Sequence, residues 1–190
     1  MAPAPAPEPD WDRLYGVAAE QRGLFTTRQA ARAGYSSQLL NHHVKAGRVL
    51  RLRRGVFRLV HFPTSDDEPL VELWLWADRK AVFSHETALS LHELSDVLPH
   101  RVHVTLPVTW ATRRLRVPEG MVLHHAPVGR DDLIRVGALP VTTPERTIGD
   151  CIDAHVSPEL VVQAITEAKA RGLVPPERLA ELGRAAGLAG

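Results

Sequence analysis

Four glycines, Gly23, Gly34, Gly47 and Gly55, cut residues 10–60 into pieces short enough for only small helices and a hairpin. Ahead of the first, Trp11, Leu14, Tyr15, Val17 and Ala18 recur at helical spacing behind Asp10, a good N-cap. Leu24 and Phe25 form a brief extended contact. Thr26 or Thr27 caps a second helix, Arg28 to Ala33, which Gly34 ends. Tyr35 is placed as a hydrophobic staple before Ser36, the cap of a third helix from Ser37 to Ala46. After Gly47, Val49–Leu52 and Val56–Leu59 flank Arg53–Arg54–Gly55, which predicts a β-hairpin with a basic turn.

Two short helices joined by a tight turn and followed by a hairpin have the order of a winged helix-turn-helix. On the third helix, Leu40 and Val44 face the core, with Leu39 or His43 supporting them. Ser37, Gln38, Asn41, His42 and Lys45 then share the outer face. Those side chains suit base edges: Gln and Asn bond adenine bidentately, and Lys reaches guanine or a phosphate. The hairpin tip, Arg53 and Arg54, is placed to enter a minor groove or lie on phosphates.

Charge points the same way. Residues 21–65 hold nine basic residues, Arg22, Arg28, Arg32, Lys45, Arg48, Arg51, Arg53, Arg54 and Arg58, and no Asp or Glu. The whole chain is nearly balanced, with 23 basic and 22 acidic residues, so the rest of it is acidic. A basic face is commonly just solvated, and a small helical domain with a hairpin can also pair proteins. The coincidence of turn, wing and uniform charge favours a polyanion. Arg28, Arg48, Arg51, Arg53, Arg54 and Arg58 are the candidates for backbone or wing contacts, beside the base-reading set of the third helix.

Residues 1–9 alternate Ala and Pro and read as a disordered tail, without the charged and apolar regions of a signal peptide. No apolar run has the length of a membrane span. Cys151 is the sole cysteine, so no intrachain disulfide forms, and a reducing cytoplasm is the simple expectation.

The winged helix is expected over 10–62, a linker over Pro63–Pro69, and a second domain over 67–190. A helix over 68–77 opens that second domain, carrying Leu70, Leu73 and Trp74. Val82–Phe83 is extended, and Ser84 caps a helix to about Leu94. Residues 101–106 alternate as a half-buried strand, with further strands at 121–124, 133–136 and 139–141. Thr143–Pro144–Glu145 starts a helix with Ile148, Cys151 and Ile152 inward. Residues 158–190 form a terminal helical pair that caps the sheet or joins two chains. The fold class is α+β: a winged helix-turn-helix, then a mixed α+β domain with C-terminal helices.

The run GLFTTRQAARAGYSSQLLNHHVKAGRVLRLRRGVFRL, residues 23–59, resembles the N-terminal domain of AbiEi-type antitoxins. The resemblance rests on Gly23–Thr26, Gln29–Ala33, Gly34–Ser36 and Arg54–Arg58. FSHETALSLHEL, residues 83–94, and VTTPERTIGDCIDA, residues 141–154, are similar to the second half of such proteins, more loosely. The resemblance implies a sequence-specific autorepressor and antitoxin of a type IV toxin–antitoxin, abortive-infection system acting in phage defence. It implies promoter repeats in double-stranded DNA as ligand and a nucleotidyltransferase-like toxin as partner. A single reading head needs a partner or a repeated site, so a homodimer on DNA is expected. A solitary transcriptional regulator, whose α+β domain is an interaction or dimerisation module, is the alternative.

Neither enzyme chemistry nor a cofactor is expected. Of ten histidines, none forms a His-Glu-x-x-His metal pattern. His85–Glu86 and His92–Glu93, seven apart, would need His103 or His124 to converge from the sheet before zinc could bind, so no metal site is expected. Cys151 lies on an apolar helix face and reads as core. Glu167–Ala168–Lys169 has the Glu-x-Lys order of a metal-dependent nuclease but sits within a helix, as do Asp150 and Asp153, which leaves no convergent carboxylates.

Overall fold

The computed structural model describes residues 8–188; most of the tail expected over 1–9 lies outside them. The chain forms two compact units that divide between Arg79 and Lys80.

In the first unit, helix α1 (Trp11–Ala19) begins where the Asp10 carboxylate accepts the Arg13 N–H. Strand β1 (Leu24–Thr26) runs straight into helix α2 (Thr27–Arg32). Thr26 and Gln29 close a reciprocal capping box at that junction, which satisfies two of the helix's orphan donors. Helix α3 (Ser37–Lys45) starts at Ser36, whose hydroxyl accepts the Leu39 N–H. Strands β2 (Val49–Arg53) and β3 (Val56–Leu59) form the hairpin, and β1 pairs antiparallel with β3, giving a three-stranded sheet in the order β1-β3-β2. The core joins Leu14, Ala18, Phe25, Ala30, Tyr35, Leu40, Val49 and Phe57. Gly23 is obligatory here: its φ is +81°, and a Cβ would fall 2.5 Å from the Phe62 ring.

Helix α4 (Glu68–Trp76) completes this unit. The sequence placed it at the head of the second domain. It packs instead on β1 and β3, burying Val71, Leu73, Trp74 and Leu75. The segment read as a linker thus delivers a helix to the open face of the small sheet.

The second unit is built on a five-stranded mixed sheet, order β6-β5-β4-β8-β7, from strands β4 (Val82–Phe83), β5 (Val102–Leu106), β6 (Met121–His125), β7 (Leu133–Val136) and β8 (Leu139–Thr142). The central strand β4 is the shortest and fully buried. β5 and β6 are parallel, so the chain needs a crossover, and residues 107–120 supply one without a helix longer than a single 3-10 turn.

Helix α5 (His85–Leu91) follows β4. Ser84 precedes it but does not cap it; its hydroxyl is taken by Thr105 and His85. Helix α6 (Pro144–Asp153) opens on Thr143, whose hydroxyl accepts the Arg146 N–H. Helices α7 (Pro158–Ala170) and α8 (Pro176–Ala185) form the terminal pair. Their apolar faces close against α6, in a core of Leu89, Ile148, Cys151, Val161, Ala164, Ala168 and Leu179. The pair therefore covers the helical layer rather than bare sheet.

Candidate nucleic-acid interface

The turn at Gly34 sets α3 so that Leu40 is buried and Leu39 and Val44 pack at its edges. His43 supports them through its ring, stacked 6.1 Å from Trp11 and edge-on 5.5 Å from Tyr35. Burial, then the neighbouring charges of Arg48 and His42, hold the His43 pKa below its ordinary value. It is a neutral part of the wall behind the helix.

Ser37, Gln38, Asn41, His42 and Lys45 are all exposed, on the face away from that wall. Arg51 on β2 reaches this face: its guanidinium donates to Asn41 Oδ1 at 2.9 Å and lies 5.2 Å over the Phe57 ring. The arrangement gives Arg51 a fixed seat. Arg48 and Arg54 are exposed, Arg54 in the turn of the hairpin beside Gly55, whose φ is +83°.

The remaining arginines differ from the sequence expectation. Arg58 was a candidate for phosphate contact, yet it is only 6% exposed. β3 is the central strand, so one side of it packs on the helical core and the other lies under α4. There the Arg58 guanidinium meets Glu68 at 2.7 Å and donates to the carbonyls of Leu59, Val60 and Phe62. It is a structural cation and not a surface one. Arg53 is half-buried in an ion pair with Glu72. Arg28, still exposed, pairs with Asp78, and Arg22 with Asp67 at 3.0 Å. Burial pushes the Asp67 carboxyl up, but hydrogen bonds from Ser65 and Arg22 and the Arg22 charge outweigh it and hold its pKa below the ordinary value.

Sequence reasoning missed these partners because Asp67, Glu68, Glu72 and Asp78 begin just beyond the acid-free window. The signal available was the order of the hairpin: a middle strand needs cover on both faces, and an apolar helix followed at once.

Residues 12–60 match the model of a family described as "Transcriptional regulator, AbiEi antitoxin". That match falls within the first unit, which is thus similar to AbiEi-antitoxin regulators over those residues. The match ends at residue 60, so the looser resemblance read over 83–94 and 141–154 lies outside it. The description names a transcriptional regulator and an antitoxin. No curated protein matches the chain. Among solved structures, the RV2827C protein from Mycobacterium tuberculosis aligns at 18% identity and TM-score 0.44, over 98% of this chain and 81% of that one.

In the second unit, the residues weighed for catalysis fall apart. Cys151 is fully buried, and burial raises its thiol pKa to about 12. Asp150 is engaged by Arg146 at 2.7 Å. Glu167 lies 3.8 Å from Arg171 along α7. His92 is buried with its Nε2 on the Thr142 carbonyl at 2.7 Å, away from any histidine cluster. His85, His103 and His124 do converge. No helix among the described residues is long and apolar enough to cross a membrane.

Proposed function

We propose that the chain is a sequence-specific DNA-binding autorepressor and antitoxin of a type IV toxin–antitoxin system, working in the cytoplasm. The observation that carries this is the outer face of α3: five exposed polar side chains in one row, with Arg51 seated beside them and Arg48 and Arg54 exposed and without an ion pair among the described residues. In this reading Ser37, Gln38, Asn41, His42 and Lys45 contact base edges in the major groove. Arg48, Arg51 and Arg54 set register on the phosphates. Arg28 and Arg53 add charge only if their ion pairs open. One reading head has too little contact area for operator-level specificity, so the protein binds promoter repeats as a pair of chains.

A reporter placed behind the chain's own upstream region tests this. Repression that is relieved by Gln38→Ala with Asn41→Ala, at unchanged protein level, is the expected outcome. Repression indifferent to both would remove α3 as the reader.

The second unit is read as the protein-binding part, neutralising a nucleotidyltransferase-like toxin or pairing protomers. A solitary regulator that uses this unit only to dimerise is the second reading. Light scattering with and without an inverted-repeat duplex separates a dimer from a strict monomer.

A further inference from the structure

Three histidines from three elements meet in the second unit. His103 on β5 and His124 on β6 share a sheet face, because the strands pair in parallel with Thr105 opposite His124 and side chains alternate along each. His85, the first residue of α5, completes the group. Its backbone is held at φ +53°, a region that non-glycine residues enter only at a cost and that often marks a functional position. This carries its ring onto His124, stacked with centroids 3.6 Å apart. One ring nitrogen from each histidine lies within 4.8 Å of the others.

We propose that His85, His103 and His124 bind a divalent transition-metal ion of the zinc class. Imidazole nitrogens suit Zn2+, Ni2+ and Cu2+ rather than Mg2+ or Ca2+. His103 Nδ1 and His124 Nε2 are 3.1 Å apart. Two nitrogens on a tetrahedral ion with bonds of about 2.0–2.1 Å stand about 3.3 Å apart, so this pair already has ligand spacing. His85, whose ring nitrogen lies within 4.8 Å of theirs, would have to turn its ring out of the stack on His124 to aim a lone pair at the same ion.

The surroundings match a metal site as well as the ligands do. A histidine that binds a metal through one nitrogen has the other fixed by a hydrogen-bond partner. His103 Nε2 lies 3.2 Å from Glu86 Oε2, and His85 Nδ1 lies 2.9 Å from Ser84 Oγ, which in turn accepts from Thr105 at 2.8 Å. The Thr87 hydroxyl accepts the His103 N–H and fixes the strand. Only neutral imidazole can ligate, and the three rings sit buried or half-buried. Arg146, whose charge reaches His85, is itself held by Asp132 and Asp150. Glu86 is committed to His103, so the fourth coordination position falls to solvent. The ion would tie the start of α5 to β5 and β6. This site is independent of the DNA-binding reading.

The full chain, stripped with chelator and titrated with ZnCl2, tests the site by calorimetry. One Zn2+ per chain is expected, together with intense visible absorption from Co2+ in a tetrahedral site. His103→Gln and His124→Gln should each abolish that binding, with circular dichroism verifying the fold. Glu86→Gln should weaken it about 10- to 100-fold by freeing the His103 ring. His125→Gln, on the exposed neighbour in β6, should leave it unchanged. Because His85→Gln can disturb folding, the Co2+ spectrum of the unaltered chain is the arbiter for that residue. An octahedral spectrum, no stoichiometric uptake, or equal loss in the His125 variant would overturn the assignment. The cluster would then be a hydrogen-bonded histidine chain.

Discussion

The basic block of the first unit has two halves that look alike in sequence and differ in what they face. Arg22, Arg28, Arg53 and Arg58 meet carboxylates in α4 or close to either end of it. Arg32, Lys45, Arg48, Arg51 and Arg54 form no ion pair among the described residues. A count of charges cannot tell a cation that holds a domain together from one that waits for a ligand. The difference comes from topology: β3 needs cover on its second face, and the helix that supplies it brings its own acids.

The sharpest way to break that comparison is Arg58→Ala. Removing one partner of a buried pair leaves Glu68 uncompensated, and the loss should be about 3–5 kcal/mol of stability by urea denaturation. If stability held and only DNA affinity fell, Arg58 would belong with the exposed half. Asn41→Ala comes next. It should leave stability within about 0.5 kcal/mol and cost about 1–3 kcal/mol of binding at one base position, read by competition between duplexes that differ there.

Arg48→Ala with Arg54→Ala should weaken every duplex alike and shallow the plot of log affinity against log salt by about two, near one unit for each phosphate contact. An unchanged slope would mean that the exposed half does not touch the backbone. The smallest effect belongs to Asp67→Asn. A carboxyl whose pKa is lowered in the folded state contributes stability above its unfolded value, near 3.8, and loses it as pH falls through the lowered folded value. The variant should therefore be less stable than the parent at neutral pH, by under about 1 kcal/mol because Arg22 is well exposed. The gap should vanish in acid. A gap that widened on acidification would reverse the sign assigned to Asp67.

The local grammar of the first unit was legible because it is written in short range: caps at Asp10, Thr26 and Ser36, and turns at Gly34 and Gly55. The exposed row of α3 followed from helical spacing alone. Long-range partners were not legible. Nothing near Arg58 announces Glu68, and only the three-strand order makes their meeting necessary. The second unit repeats the lesson. Its strands were visible by alternation and apolar runs, but the meeting of His85, His103 and His124 depends on which strands are neighbours and on a left-handed backbone at His85. Spacing along the chain suggested His85 with His92, and the sheet discards that pair.

Binding of the purified chain to its own upstream region and to a scrambled duplex, over a series of salt concentrations, tests the central claim most directly. The account predicts selective binding to the upstream region with a steep salt dependence, and loss of that selectivity in the Gln38 and Asn41 variants. Equal, weak binding to both duplexes would contradict it and leave the exposed face of α3 without a sequence to read.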